Sequence, residues 1–292
     1  MQSPFKRIIV YDLETGGLQW KYNQITEVAA VVIDTETLEV VEEFTLMLKP
    51  RLDLSHREEE PLKEAKLIFN ALASKDAETN VKTLQYGSEG ITLKTLEGMA
   101  EDIKAFYIFL KEYGNIFTYE QYLDLLDTEF GDIAKVYFDR TYNPEALAVT
   151  HMSIKMLVEG GVEYNEFTGA FEELIERHTV GNSKPIIAGH NIKGFDNDFI
   201  VRMLLDSKVD LWKKVNPFMI DTLEWARMRW FELPSFSLGV CANAIGLTLK
   251  EAHRALADTQ ANAKFLIKML QNLRGEGSQE STYKRRKYKF NF

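Results

Sequence analysis

Arg7-Ile8-Ile9-Val10-Tyr11-Asp12-Leu13-Glu14-Thr15-Gly16-Gly17-Leu18 begins as an apolar run and ends in two carboxylates and a glycine pair. Ile8, Ile9 and Val10 have the character of a buried strand. Side chains of a strand alternate faces with period two, so Asp12 and Glu14 point the same way. Two like charges on one face repel unless something compensates them, and carboxylate oxygens are the natural ligands of Mg²⁺ or Mn²⁺. A solvated strand end before a Gly-Gly turn is the plainer account of these residues alone. The rest of the chain favours the metal.

Working outward, residues 24–33 read as a second strand and residues 40–48 as a third, joined by the short polar link Asp34-Thr35-Glu36-Thr37. Lys49-Pro50 closes this antiparallel meander, because proline cannot continue a central strand. Residues 51–142 change character, with solvated stretches at 58–60 and 74–79. Leu96, Met99, Ile103, Phe106, Tyr107 and Leu110 then repeat at helical spacing, and Tyr122, Leu126, Phe130, Ile133 and Tyr137 form a second helical stripe. From Tyr142 onward helix and strand alternate. Helices are expected at 166–178, 197–206, from 222, at 238–245 and at 258–273, and short strands at 185–189 and 217–221. The pattern predicts an α/β fold, a mixed five-stranded sheet with helices on its faces and a mostly helical insertion. The main domain is then discontinuous, residues 1–50 and 143–275, with an acidic helical insertion at 51–142 and a basic aromatic tail at 276–292.

Composition narrows the function. The 292 residues are 45% hydrophobic, and 44 acidic against 35 basic side chains give a net charge of −9, which argues against coating long nucleic acid by electrostatics alone. The insertion is the most acidic part, with 18 acidic and 11 basic residues between 51 and 142. The tail inverts this. Tyr283-Lys284-Arg285-Arg286-Lys287-Tyr288-Lys289-Phe290 interleaves cations with aromatics, which suits a single-strand contact as well as a solvated terminus. A lone Cys241 among apolar neighbours excludes an intrachain disulfide and any cysteine-based metal cluster. No apolar run approaches the roughly 20 residues that span a bilayer. Met1-Gln2-Ser3-Pro4 leads straight into the first strand, so no membrane partner and a cytoplasmic location are expected.

The last helix holds the next clue. Asp258 shares a helical stripe with Ala261, Phe265 and Met269, and Asp196 leads a stripe of Phe199, Ile200, Met203 and Leu204. A lone ionised carboxylate facing a core costs several kcal/mol. Taken singly, each aspartate fits an N-cap better. Together with Asp12 and Glu14 they make four inward acids, which two divalent cations would neutralise. Paired metals about 3.5–4 Å apart clamp a phosphodiester, one activating the attacking water and the other steadying the leaving oxygen. The water's proton needs a base, and His253, five residues before Asp258, has a suitable ordinary pKa.

Asp12-Leu13-Glu14-Thr15-Gly16-Gly17-Leu18, Gly189-His190-Asn191-Ile192-Lys193-Gly194-Phe195-Asp196, and His253 with Asp258 together resemble, in order and spacing, the three motifs of the DEDDh group of DnaQ-like 3′-to-5′ exonucleases. That group includes the proofreading subunit of bacterial replicative polymerases. The resemblance implies a ribonuclease H-like sheet, with Asp12, Glu14, Asp196 and Asp258 as ligands of two Mg²⁺ or Mn²⁺ ions and His253 as general base. It implies that Thr15, Gly16, Gly17 and Leu18 receive the terminal nucleotide, with Asn191 and Phe195 lining the same cleft, while Asp221 reads as a helix cap. The expected substrate is the 3′ end of single-stranded DNA, ahead of RNA, in replication, repair or proofreading, with a DNA polymerase as a candidate partner. The alternatives are an RNA-trimming exonuclease and a catalytically idle module that binds nucleic acid or a polymerase. The chain departs from the compact family pattern in the insertion at 51–142 and in the long spacing between Asn191 and Phe195. That spacing makes Asp196 the preferred ligand and Asp198 the fallback.

Overall fold

The apolar runs at residues 8–10 and 25–33 lie in the middle of a five-stranded sheet in the computed structural model, which describes residues 5–66, 93–247 and 254–276. In chain order the elements begin β1 (Arg7–Thr15), β2 (Ile25–Asp34), β3 (Val40–Met47), β4 (Arg51–Asp53), α1 (Leu93–Tyr113) and β5 (Ile116–Thr118). Five helices follow: α2 (Tyr119–Leu126), α3 (Gly131–Thr141), α4 (Pro144–Val149), α5 (Ile154–Gly160) and α6 (Tyr164–Arg177). The chain then runs β6 (Ile186–Gly189), α7 (Asp196–Asp206), α8 (Leu211–Lys214), β7 (Met219–Asp221), α9 (Thr222–Arg229), α10 (Leu238–Ala244) and α11 (Ala255–Arg274). His253, the loop at 74–79, the side chain of Leu96, residues 1–4 and the tail beyond Glu276 lie outside the described residues. No helix among the described residues is long and apolar enough to cross a membrane.

Two compact units divide the chain. The first comprises Met1–Glu14, Glu27–Leu46 and Thr168–Phe292. Its sheet has the order β3-β2-β1-β6-β7, with β1 parallel to β6 in the register Ile9↔Ile187 and β6 parallel to β7. The links from β1 to β2 and from β2 to β3 are too short for a parallel crossover, so the sheet is mixed. On one face Ile8, Val10, Val31, Ile33, Ile186 and Ala188 pack with Ala263 and Leu266 of α11. On the other, the Tyr11 ring meets Phe171 of α6 edge-on at 5.8 Å. Trp230, Phe265 and Met269 build a second cluster that encloses Cys241, a buried thiol as its neighbours in sequence suggest. The outer strand β3 leaves Val40 and Val41 exposed and sets Glu42 against Arg177 at 2.7 Å and His178 at 2.6 Å. Acidic side chains of this kind blunt a sheet edge against pairing with another chain.

The second unit comprises Thr15–Thr26 and Met47–Phe167, so it takes in the glycine turn and residues 143–167 as well as the inserted stretch. A small antiparallel ladder of β4 and β5 pairs Leu52 with Phe117. Its core is aromatic, with Phe106 beside Phe130 and Tyr137, and Tyr122 stacked on Phe138 at 4.0 Å. The single helical stripe expected from Tyr122 to Tyr137 is two helices. Thr128 accepts from Phe130 N and donates to Leu125 O, which turns the chain. A Cβ at Gly131 would lie 2.2 Å from Leu126 O, so only glycine can start α3 against the end of α2.

Candidate active site

Ile8, Val10, Asp12 and Glu14 follow one another on a single face of β1, so the core face becomes an acidic one towards the strand's carboxyl end. The apolar stripe of α11 covers the same face and brings Asp258 into its first turn. Carboxylate oxygens of Asp12, Glu14 and Asp258 all lie within 4.8 Å of one another. Asp258 is not a helix cap: α11 starts at Ala255, and its N-cap is Arg254. Asp196 is not one either, because Phe195 holds the N-cap position of α7. Asp196 is instead 3% exposed and accepts a 3.1 Å hydrogen bond from Leu13 N, which fastens the start of α7 to β1.

The electrostatics are those of crowded acids. Burial, then the charges of Asp196, Glu14, Asp258 and Glu27, push Asp12 well above the usual carboxylate range. Glu14 is raised to about 8 by burial and by Asp258, Glu27 and Asp196, with Arg254 opposing. Burial lifts Asp196 to about 7 against the pull of the Leu13 amide. Such a cluster holds protons near neutrality unless cations replace them. Its donors are all carboxylate oxygens, which fits hard divalent ions such as Mg²⁺ or Mn²⁺.

Two residues of the site escape a sequence reading, and a third is read only as a helix cap. Glu27 sits in β2, only 4% exposed, with Oε1 3.3 Å from Thr45 Oγ1 and 3.7 Å from Arg254 Nη2. Its Oε2 is buried and has no hydrogen-bond partner among the described residues. The available signal was one acid in the run from Ile25 to Ile33, apolar apart from Thr26. Arg254 is the second such residue and the cation that tempers Glu14. The third is Asp221, which does cap α9 through Leu223 N at 3.0 Å, and which also accepts from Asn191 N at 3.0 Å and Lys193 N at 3.2 Å. One carboxylate thereby fixes the loop that leads into Asp196. Glu27→Gln should weaken Mn²⁺ binding about 10-fold, the low end for a group supporting a ligand shell. The measurement is the midpoint of the Mn²⁺-dependent rise in melting temperature, and an unmoved midpoint would make Glu27 a purely structural residue.

Asn191 is exposed, with φ +64°, a left-handed conformation that asparagine tolerates. Phe195 is half-buried, its ring centroid 5.1 Å from that of Phe199, and Asp198 is exposed outside the carboxylate group. His190 Nε2–H donates to Phe236 O at 2.8 Å, and burial lowers its pKa. Thr15, Gly16, Gly17 and Leu18 belong to the second unit. There Thr15 Oγ1 donates to Gly17 O at 2.7 Å, Asn143 N donates to Gly16 O at 2.7 Å, and Leu18 is 82% exposed. A Cβ on Gly16 would meet Thr141 O at 2.3 Å, so packing alone requires that glycine. The structure therefore brings Asp12, Glu14, Asp196 and Asp258 together and places Asn191 and Phe195 on the loop entering Asp196.

A family model described as Exonuclease, RNase_T, matches residues 9–77 and 132–266. The PolC-type DNA polymerase III of Bacillus cereus is 34% identical over 115 residues, 39% of this chain and 7% of that protein. Its counterpart in Clostridium perfringens is 31% identical over 143 residues, 49% of this chain and 9% of that protein. Among solved structures, E. coli exonuclease I in complex with a dT13 oligonucleotide superposes with a TM-score of 0.53 at 17% identity, over 93% of this chain and 43% of that one. The zinc-bound form of the E. coli ExoI–ssDNA complex gives 0.53 at 16% identity, over 92% and 41%. The chain thus spans under a tenth of those polymerases and under half of exonuclease I, and the structural likeness speaks for the fold.

Proposed function

The chain belongs to the RNase_T exonuclease family, the DnaQ-like grouping that its motifs resemble, and from that premise we propose that it removes nucleotides from the 3′ end of single-stranded DNA. The observation that carries this reading is the meeting of Asp12, Glu14 and Asp258 within 4.8 Å on the acidic end of a core strand. Two divalent cations, Mg²⁺ or Mn²⁺, would there supply positive charge at the scissile phosphate and acidify the attacking water. Asp12, Glu14 and Asp258 are the residues that would hold them, with Asp196 as the fourth carboxylate, kept in place by Leu13 N. His253 accepts the water's proton. Thr15, Gly16, Gly17 and Leu18, with Asn191 and Phe195, position the terminal nucleotide. The PolC relatives and the oligonucleotide complexes of exonuclease I support a role in DNA replication or repair, beside a polymerase.

The test uses linear single-stranded DNA and RNA labelled at the 5′ end, incubated with Mg²⁺, Mn²⁺ or chelator. A ladder shortening from the 3′ end on DNA is expected with either metal and none with chelator, and circular single strands should survive. Internal cutting of the circles at a comparable rate would refute an exonuclease. Faster shortening of RNA would move the substrate class to RNA.

A further inference from the structure

The second unit holds a cationic groove that the hydrolytic chemistry does not use, lined in part by Lys21, Tyr22, His56, Arg57, Tyr137 and Arg140. Its charges are unequally committed. Asp53, whose side chain is fully covered, is answered by Arg51 at 2.7 Å. Arg140 is bonded to Glu64 at 2.6 Å and lies over the Tyr22 ring, 3.6 Å from its centroid. Glu58, an acid within electrostatic range of Lys21, is already bonded to Lys63 at 2.8 Å.

Arg57 differs from these. Its Nη1 donates to two neutral oxygens, Leu54 O at 3.1 Å and Asn115 Oδ1 at 3.0 Å, and the guanidinium lies 4.7 Å from the centroid of Tyr107. Among the described residues its buried Nε has no hydrogen-bond partner and no carboxylate forms an ion pair with it. A guanidinium oriented by neutral acceptors and an aromatic face keeps its whole charge and part of its donor fork for an anion from outside. Lys21 is exposed beside it, its ammonium 5.6 Å from the Trp20 ring; among the described residues it forms no ion pair, and the nearby Glu58 is already answered by Lys63. Cations interleaved with aromatic side chains are what tracks a single strand by its backbone.

We propose that this groove seats a backbone phosphate of single-stranded nucleic acid, with Arg57 and Lys21 as its two uncommitted cations. The identity of the strand rests on the exonuclease reading. The groove itself is tested apart from hydrolysis, by anisotropy of a fluorescein-labelled oligothymidylate binding the full chain in chelator across a salt series. Each phosphate contact contributes roughly 0.7 to the slope of log affinity against log salt for a single strand, so Arg57→Gln with Lys21→Gln should lower that slope by about 1.4. Affinity at low salt should fall roughly 10-fold. Arg57→Lys alone keeps the charge and should keep the wild-type slope, which separates a lost phosphate contact from a damaged fold. Lys135→Gln, an exposed residue paired with Asp139 at 3.0 Å, is the control for general charge and should change nothing. An unchanged slope in the double variant would overturn the groove as the seat. A second arm uses inorganic phosphate: a phosphate-dependent rise in melting that the double variant abolishes, with strand binding intact, would assign the groove to a free anion and overturn the strand. A wild-type chain that binds no strand would instead sink the exonuclease reading on which the ligand rests.

Discussion

An Asp12→Asn variant is expected to lose at least about 10³-fold in hydrolysis, close to 4 kcal/mol of transition-state stabilisation, because it removes one of three carboxylates converging on the metal position. The same substitution should make the cation-free protein more stable. Glu14 has its value raised from 4.5 to about 8, so the folded state favours its protonated form. The stability this contributes is fully present below about pH 4.5 and is lost as pH rises through about 8. Asp12 is raised as well, by burial and then by the charges of Asp196, Glu14, Asp258 and Glu27. In chelator, wild-type melting should therefore fall with rising pH through neutrality, whereas Asp12→Asn should melt higher at pH 8 and show a shallower decline. Mg²⁺ should raise the wild-type melting temperature and leave the variant nearly unmoved. Calorimetry with and without Mg²⁺ reads all of this, and a variant with near-normal turnover would remove Asp12 from the site.

The second large effect belongs to His253. Asn in its place should lower turnover by roughly 10² to 10⁴, the usual contribution of a positioned base. Metal affinity should barely change, because the carboxylates remain. In the wild type, activity should rise with pH through a histidine titration near neutrality. In His253→Asn that limb should vanish or move. An unchanged rate and profile would mean that the water loses its proton without help from this side chain.

The middle of the sheet was legible because β1 and β2 carry long apolar runs with sharp polar ends. Ile8 to Val10 and Ile25 to Ile33 admit few other readings, and strictly alternating faces brought Asp12 and Glu14 to one side. The stripe of Ala261, Phe265 and Met269 likewise announced which face of α11 is buried. Helix starts were less legible. α11 begins at Ala255 behind Arg254, which makes no side-chain cap, so nothing in the sequence marked the boundary, and Asp258 lies within the first turn rather than at the cap. In the second unit a stripe at three- and four-residue spacing ran on across a turn. The break between α2 and α3 comes from Thr128 and Gly131, local effects that hydrophobic period does not register. The ladder of β4 and β5 joins short segments far apart in the chain, which no local pattern encodes. Glu27 was passed over for a related reason: one acid in a buried strand looks like a tolerated exception until its neighbours in space are known.

The contact between Gly16 and the Thr141 carbonyl bears on how descent is read from this motif. A side chain at position 16 would collide with main chain, so the fold selects that glycine whether or not any nucleotide approaches it. A descendant that lost its carboxylates and its chemistry would still be held to the glycine by the need to fold. Gly16 is therefore a record of ancestry, whereas Asp12, Glu14 and Asp258, which burden the cation-free fold with repulsion, would drift quickly once selection for activity lapsed. In distant homologues the acids, not the glycine, are the residues from which a living enzyme should be told from a retired one.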